Sequence, residues 1–213
     1  MDSDTTLILG RITAALPKDL FTSVAENFDS AFHDAYRRAL EIKDQYQPEF
    51  SEMLGRARHW MLERSLRDAG TVAGLCCAAQ HTKPSGGRFT IIHCPEFVIG
   101  RAKVRGPSYN VPANRYRSEL ALLNSFISEK QRDFFIPPPI FSDDRIFGLF
   151  ISGVNRHNPA VPAFVRFAVP SHDLKGWVFN QPIENVIAAY ATPERTTEVI
   201  PDLANVTIKL WKT

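Results

Sequence analysis

The sequence predicts an α+β fold, with N-terminal helices packed beside an antiparallel or mixed sheet and a strand-rich C-terminal third. Two observations lead there. Apolar residues recur at helical spacing over the first third of the chain, and beyond Gly70 the pattern changes to short β-branched and aromatic runs divided by turn residues. A third observation supplies the core: 44% of the residues are hydrophobic, and 15 are phenylalanine. That is enough apolar material for a buried interior. For 213 residues the expectation is a single domain, with 1–47 a helical appendage and 71–213 the sheet-containing core.

The helices come first. Residues 5–16 suit a short helix stopped by Pro17. From Phe21 the apolar positions Val24, Ala25, Phe28, Phe32, Ala35, Ala39 and Ile42 follow the i, i+3, i+4 pattern of one buried stripe. That helix should end by Gln47, because the residue before Pro48 avoids the helical region. A third helix carries Phe50, Met53, Leu54, Ala57, Trp60 and Met61 on one side, with Gly70 as its terminator. Its other side holds Glu52, Arg56, His59, Glu63 and Arg67. The acid-first i, i+4 pairs Glu52–Arg56 and Glu63–Arg67 mark it as a solvated face.

Strands follow at 71–78, 88–94 and 97–105, with the loop-forming residues Lys83 to Gly87 between the first two and Pro95 after the second. They read as an antiparallel meander. A helix over 115–134 places Tyr116, Leu120, Leu123 and Ile127 in register and is ended by Pro137, Pro138 and Pro139. Strands are expected again at 146–154, 163–169 and 177–180. A short helix then carries Ile183, Val186, Ile187 and Tyr190 behind Pro182, and closing strands are expected near Val199 and over 206–211.

Charge is unevenly distributed. Between Lys83 and Arg117 seven basic residues face Glu96 alone, a local charge of +6 in a chain whose net charge is +2. Arg101, Lys103 and Arg105 alternate with Ala102 and Val104, so as strand residues they share one face about 7 Å apart, near the phosphate spacing of an extended nucleic-acid strand. The expected function is therefore non-catalytic binding of nucleic acid or another polyanion on a basic sheet face. Its candidate residues are Arg88, Arg101, Lys103, Arg105, Tyr109, Arg115 and Arg117, with Tyr109 a stacking surface and Tyr116 assigned to the core. An alternative is a regulatory or protein-interaction module that self-associates into a homo-oligomer through Phe21, Phe28 and Phe32.

The order helix, three strands, helix, strand across Phe50 to Val154 resembles the restriction-endonuclease-like core. That resemblance implies an acid on the second strand and a Glu-x-Lys on the third, together holding a divalent metal. This chain departs from both: 88–94 contains no carboxylate, and Arg101 stands two before Lys103. A cation there repels Mg²⁺. The resemblance thus implies a degenerate relative.

Other catalytic constellations are missing from the sequence. His157 and His172 flank the strand at 163–169, about 23 Å long, and cannot share a metal. Asp143 and Asp144 read as solvated loop acids. Ser152-Gly153 and Ser85-Gly86 lack the nucleophile-elbow context, and no Gly-rich phosphate loop occurs. No cofactor or metal is expected, and the chain is not expected to be an enzyme. Adjacent Cys76 and Cys77 cannot bridge each other; with Cys94 they are expected to be free and buried, since no ligand spacing joins them to His81 or His93. No apolar run is long enough to span a membrane, and the first twenty residues carry no secretory signal, so the expected compartment is the cytoplasm.

Overall fold

The computed structural model describes residues 3–82, 87–107, 109–125, 127 and 145–191. Three helices lead: α1 (Ser3–Ala15), α2 (Lys18–Ile42) and α3 (Phe50–Val72). Strands β1 (Cys76–His81), β2 (Arg88–His93) and β3 (Phe97–Lys103) follow, then α4 (Arg115–Ala121) running into a 3₁₀ turn at Leu122–Asn124. Strands β4 (Ile146–Val154), β5 (Pro162–Pro170) and β6 (Trp177–Pro182) come next, with α5 (Ile183–Ala189) after them.

The sheet order is β1-β2-β3-β4-β5-β6. Neighbours are antiparallel except β3 and β4, which run parallel, so the sheet is mixed and its first three strands form the expected meander. The order α3-β1-β2-β3-α4-β4 is the one read from the sequence, and β5 and β6 extend it. The C-terminal part of the predicted 115–134 helix, the three prolines, Asp143, Asp144 and the closing strands lie outside the described residues.

α2 buries Leu20, Phe21, Val24, Phe28, Ala31, Phe32, Ala35 and Ala39, a stripe at helical spacing. Phe21 meets Phe150 and Phe167 edge-on, with ring centroids 5.6 and 5.3 Å apart. Those contacts place α1 and α2 in the same buried cluster as β3, β4, β5 and α5. The phenylalanines on which self-association was to rest are therefore inside one chain, each 1% exposed or less. The Tyr190 hydroxyl, just past α5, donates to the Leu16 carbonyl at 2.7 Å, and burial raises its pKa.

α3 returns antiparallel to α2 and lies against β1 and β2. Gly70 does not end it; the helix continues to Val72, and the chain turns at Gly74, whose φ of +70° is the left-handed conformation that glycine adopts freely. Gly70 serves closeness instead. A Cβ there would lie 2.5 Å from Cys77 Sγ and 2.9 Å from Ile92 Cδ1. Because the helix consumes residues expected for the first strand, β1 begins at Cys76.

A second apolar cluster covers the opposite face of the sheet. Tyr116, Leu120 and Ala121 of α4 pack there with Phe89, Ile91, Val98, Ala102, Phe147, Leu149 and Ile151. The central strands are thus covered on both sides, and eight of the nine residues of β4 are buried. Asn124, fully buried, pins the 3₁₀ turn to this layer: its amide donates to the Phe147 and Pro170 carbonyls at 3.0 and 2.7 Å and accepts the Phe147 N–H at 2.8 Å. No described helix is long and apolar enough to cross a membrane.

Replacing Asn124 by Ala leaves three buried backbone groups without partners. We expect a loss of roughly 2–4 kcal/mol in urea unfolding. Leu122→Ala, at an exposed position on the same turn, should change stability by under about 0.5 kcal/mol. Equal effects would show that Asn124 is not the anchor.

Candidate functional site

The site begins with a gap in the sheet. β2 and β3 pair only at Ile92–Ile99 and His93–Val98, so the ladder stops before Thr90 and Arg101 would face each other. Thr90 gives its N–H to Glu63 of α3 instead, at 2.6 Å to Oε2, and its hydroxyl donates to the Glu63 carbonyl at 2.9 Å. The other carboxylate oxygen, Oε1, lies 2.9 Å from Arg101 Nε, a close ion pair without hydrogen-bond alignment at that nitrogen. Arg101 Nη2 donates to the His59 carbonyl at 2.9 Å and sits 2.6 Å from His59 Nδ1. Two side chains from α3 thus hold the opened strands.

This network corrects two expectations. Arg101 is not a surface cation: it is 6% exposed, because β3 is a central strand with α3 over one face and α4 over the other. Nor is the Glu63 side of α3 solvated. Glu52 and Arg56 do pair, at 2.7 Å, but Glu63 is 9% exposed and its partner is Arg101 rather than Arg67. The desolvation of burial lowers the Arg101 pKa, and Glu63 opposes that shift.

The row of three cations is also broken at its far end. β3 stops at Lys103, and Arg105 lies beyond it in the exposed connection. Lys103 and Arg88 instead line a cavity of about 360 Å³ in the gap between β2 and β3. His59, Glu63 and Arg101 form its inner wall. Thr82 and Gly87 close one side, joined by a bond from the Gly87 N–H to the Thr82 hydroxyl at 3.0 Å. Asn114, Tyr116 and Arg117, at the start of α4, form the other.

Three cations around this cavity have no carboxylate partner among the described residues: Arg88, Lys103 and Arg117. Partial burial lowers the Lys103 pKa, and Arg58 and Arg101 lower it further. Arg117 bonds only carbonyls, those of Pro112 at 2.9 Å and Arg101 at 3.4 Å, and its Nε is buried without a partner. Its guanidinium lies 5.2 Å from the Tyr116 ring, which stacks on Phe89 at 3.9 Å as the core assignment expected. Of the remaining predicted residues, Arg115 pairs with Glu119 at 2.9 Å, and Tyr109 is exposed outside the cavity lining.

His59 is neutral here. Burial lowers its pKa first and Arg101 second, against a smaller opposing effect of Glu63. The 3.8 Å approach of Nδ1 to Glu63 is therefore not an ion pair, since Nδ1 must accept from the Arg101 guanidinium. Its proton then sits on Nε2.

His93 lies elsewhere. It lines a second cavity of about 250 Å³ beneath α4, with Gln80, Ile91 and Val98. His157 and His172 do fall on opposite sides of β5. Cys94 is buried, Cys77 half-buried and Cys76 exposed, so the last departs from the buried expectation; burial pushes the Cys77 and Cys94 thiols up. No group of three metal-binding side chains occurs among the described residues. Compared with family models, curated proteins and solved structures, the chain matches none.

His59 and Glu63 were the residues that sequence reasoning assigned to solvent. The available signal was Gly70, seven residues after Glu63 and so on the same side of α3, where glycine permits close contact with the sheet.

Two outcomes follow from this network. Glu63→Ala strands the buried Arg101 charge and should cost about 3–5 kcal/mol, whereas the double change Glu63→Leu with Arg101→Met should recover most of it. A surface Arg101 would make every one of these variants nearly neutral. The second outcome concerns pH. A lowered histidine pKa means that the unfolded chain binds a proton the folded chain refuses, so the His59 contribution is complete above about pH 6.5 and is lost as pH falls through the lowered value. Melting curves from about pH 8 to about pH 5 should therefore fall less steeply for His59→Gln than for the wild type. Parallel curves would count against a lowered His59.

Proposed function

We propose that the chain is a non-catalytic binding protein that holds a polyanion, foremost nucleic acid, at the gap between β2 and β3. One observation carries this reading: Arg88, Lys103 and Arg117 surround a cavity whose only carboxylate among the described residues, Glu63, is already engaged by Arg101 and the Thr90 N–H. Uncompensated cations in a partly desolvated recess create a field that an anion relieves. Arg105, on the exposed connection beyond β3, adds positive charge along the approach.

Binding is favoured over cleavage for an electrostatic reason. The restriction-endonuclease-like resemblance would place a metal-binding acid where Arg101 stands, and the Arg101 guanidinium neutralises Glu63, the one acid that described residues bring to the cavity. A divalent cation would have to displace it. A cytoplasmic setting goes with this reading, supported by three free cysteines.

The test is fluorescence anisotropy with a labelled oligonucleotide across a salt series. Arg88→Ala and Lys103→Ala should each weaken binding and reduce the salt slope by about one. Arg115→Ala, which removes a cation already paired with Glu119, should leave affinity close to wild type. Unchanged affinity and slope in the Arg88→Ala, Lys103→Ala double variant would overturn the proposal.

A further inference from the structure

We infer that the cavity is built for a terminal phosphate, the phosphomonoester at the end of a nucleic-acid strand, rather than for the internal phosphodiesters of its backbone; this rests on the anion-binding reading above. A backbone-tracking surface needs cations spaced along a line. Here the line does not exist, because Arg101 is turned inside and β3 ends at Lys103. The remaining cations converge on one open recess instead, with Arg88 from β2, Lys103 from β3 and Arg117 from α4.

The polar groups at that space also sort by type. Both Glu63 oxygens are engaged, by Arg101 and Thr90, and His59 Nδ1 accepts from Arg101. His59 is spent as well, since its remaining N–H is held by the Arg88 backbone. Asn114 uses its Oδ1 to cap the Arg117 N–H at 3.0 Å, which leaves its amide N–H₂. The charged and amide groups still unengaged at the cavity, Arg88, Lys103 and the Asn114 amide, are thus hydrogen-bond donors. A phosphomonoester brings about −1.5 to −2 charge and three acceptor oxygens to such a set, where a diester brings one charge and two. A volume of about 360 Å³ sits at the small end of ligand cavities and excludes a duplex.

The experiment measures binding of four internally labelled single strands: a hydroxyl-ended 12-mer, the same 12-mer with a phosphate at one end or at the other, and a hydroxyl-ended 13-mer, one nucleotide longer, that matches their phosphate count. We expect at least one phosphorylated 12-mer to bind about tenfold or more tightly than the 13-mer. Lys103→Gln and Arg88→Gln should erase that preference, and circular dichroism would establish that each variant is folded. Unlabelled nucleoside monophosphate should compete if the phosphate end alone is held; competition by inorganic phosphate at equal concentration would assign the site to free phosphate and overturn the strand-end inference. Equal affinity for all four strands, weakened alike by Lys103→Gln, would overturn this inference and leave the polyanion reading standing. Binding of none of them would overturn both.

Discussion

The buried Glu63–Arg101 pair is the constraint from which the candidate site follows. A guanidinium 6% exposed must find a negative partner, and the one it finds lies on α3, so helix and sheet are locked at a fixed height over one another. The same carboxylate takes the Thr90 N–H that a continuous β2–β3 ladder would have used. One side chain therefore both neutralises the strand cation and satisfies the donor exposed where the strands part. The cavity is the space left between strands held apart in this way, and the adjacent Arg88 and Lys103 reach it because they occupy the ends of the separated segments.

The layers around the sheet decide which cations stay available. Arg101 and Lys103 are two residues apart and share a face of β3, yet one is buried against His59 and Glu63 of α3 and the other is exposed at the end of the strand. Arg117, although drawn inward by carbonyls and by the ring of Tyr116, acquires no acid among the described residues. Arg115, two residues away on the same helix, does, and with it loses most of its reach for an anion. Position relative to a neighbouring layer, more than residue type, sets the local charge.

The elements were legible in the sequence because their signals are local. The α2 stripe, the meander and the strand at 146–154 each follow from periodicity or β-propensity, and their placement agrees to within a few residues. Two boundaries moved for tertiary reasons: Gly70 looked like a stop but is a contact point, so α3 overran the predicted start of β1. The site was legible only in part. Alternation placed Arg101 and Lys103 on a common face correctly, but whether that face meets water depends on α3, whose Glu63 is 38 residues earlier in the sequence. No spacing rule joins those two residues, and the acid-first pairing on α3 pointed Glu63 toward Arg67 instead.

The contacts that join the first helices to the end of the described chain bear on how the protein is made. Phe21 packs against Phe167 and the ring of Tyr190, and the Tyr190 hydroxyl bonds the Leu16 carbonyl just past α1, at a separation of 174 residues. Such non-local contacts slow folding, because a long loop must close before they form. On the ribosome α1 and α2 emerge first, yet the surface that buries their apolar stripe is completed only when β5 and α5 have been synthesised. Until then Phe21 and Phe28 have only part of their final surroundings, and the nascent chain presents the kind of apolar segment that chaperones shield.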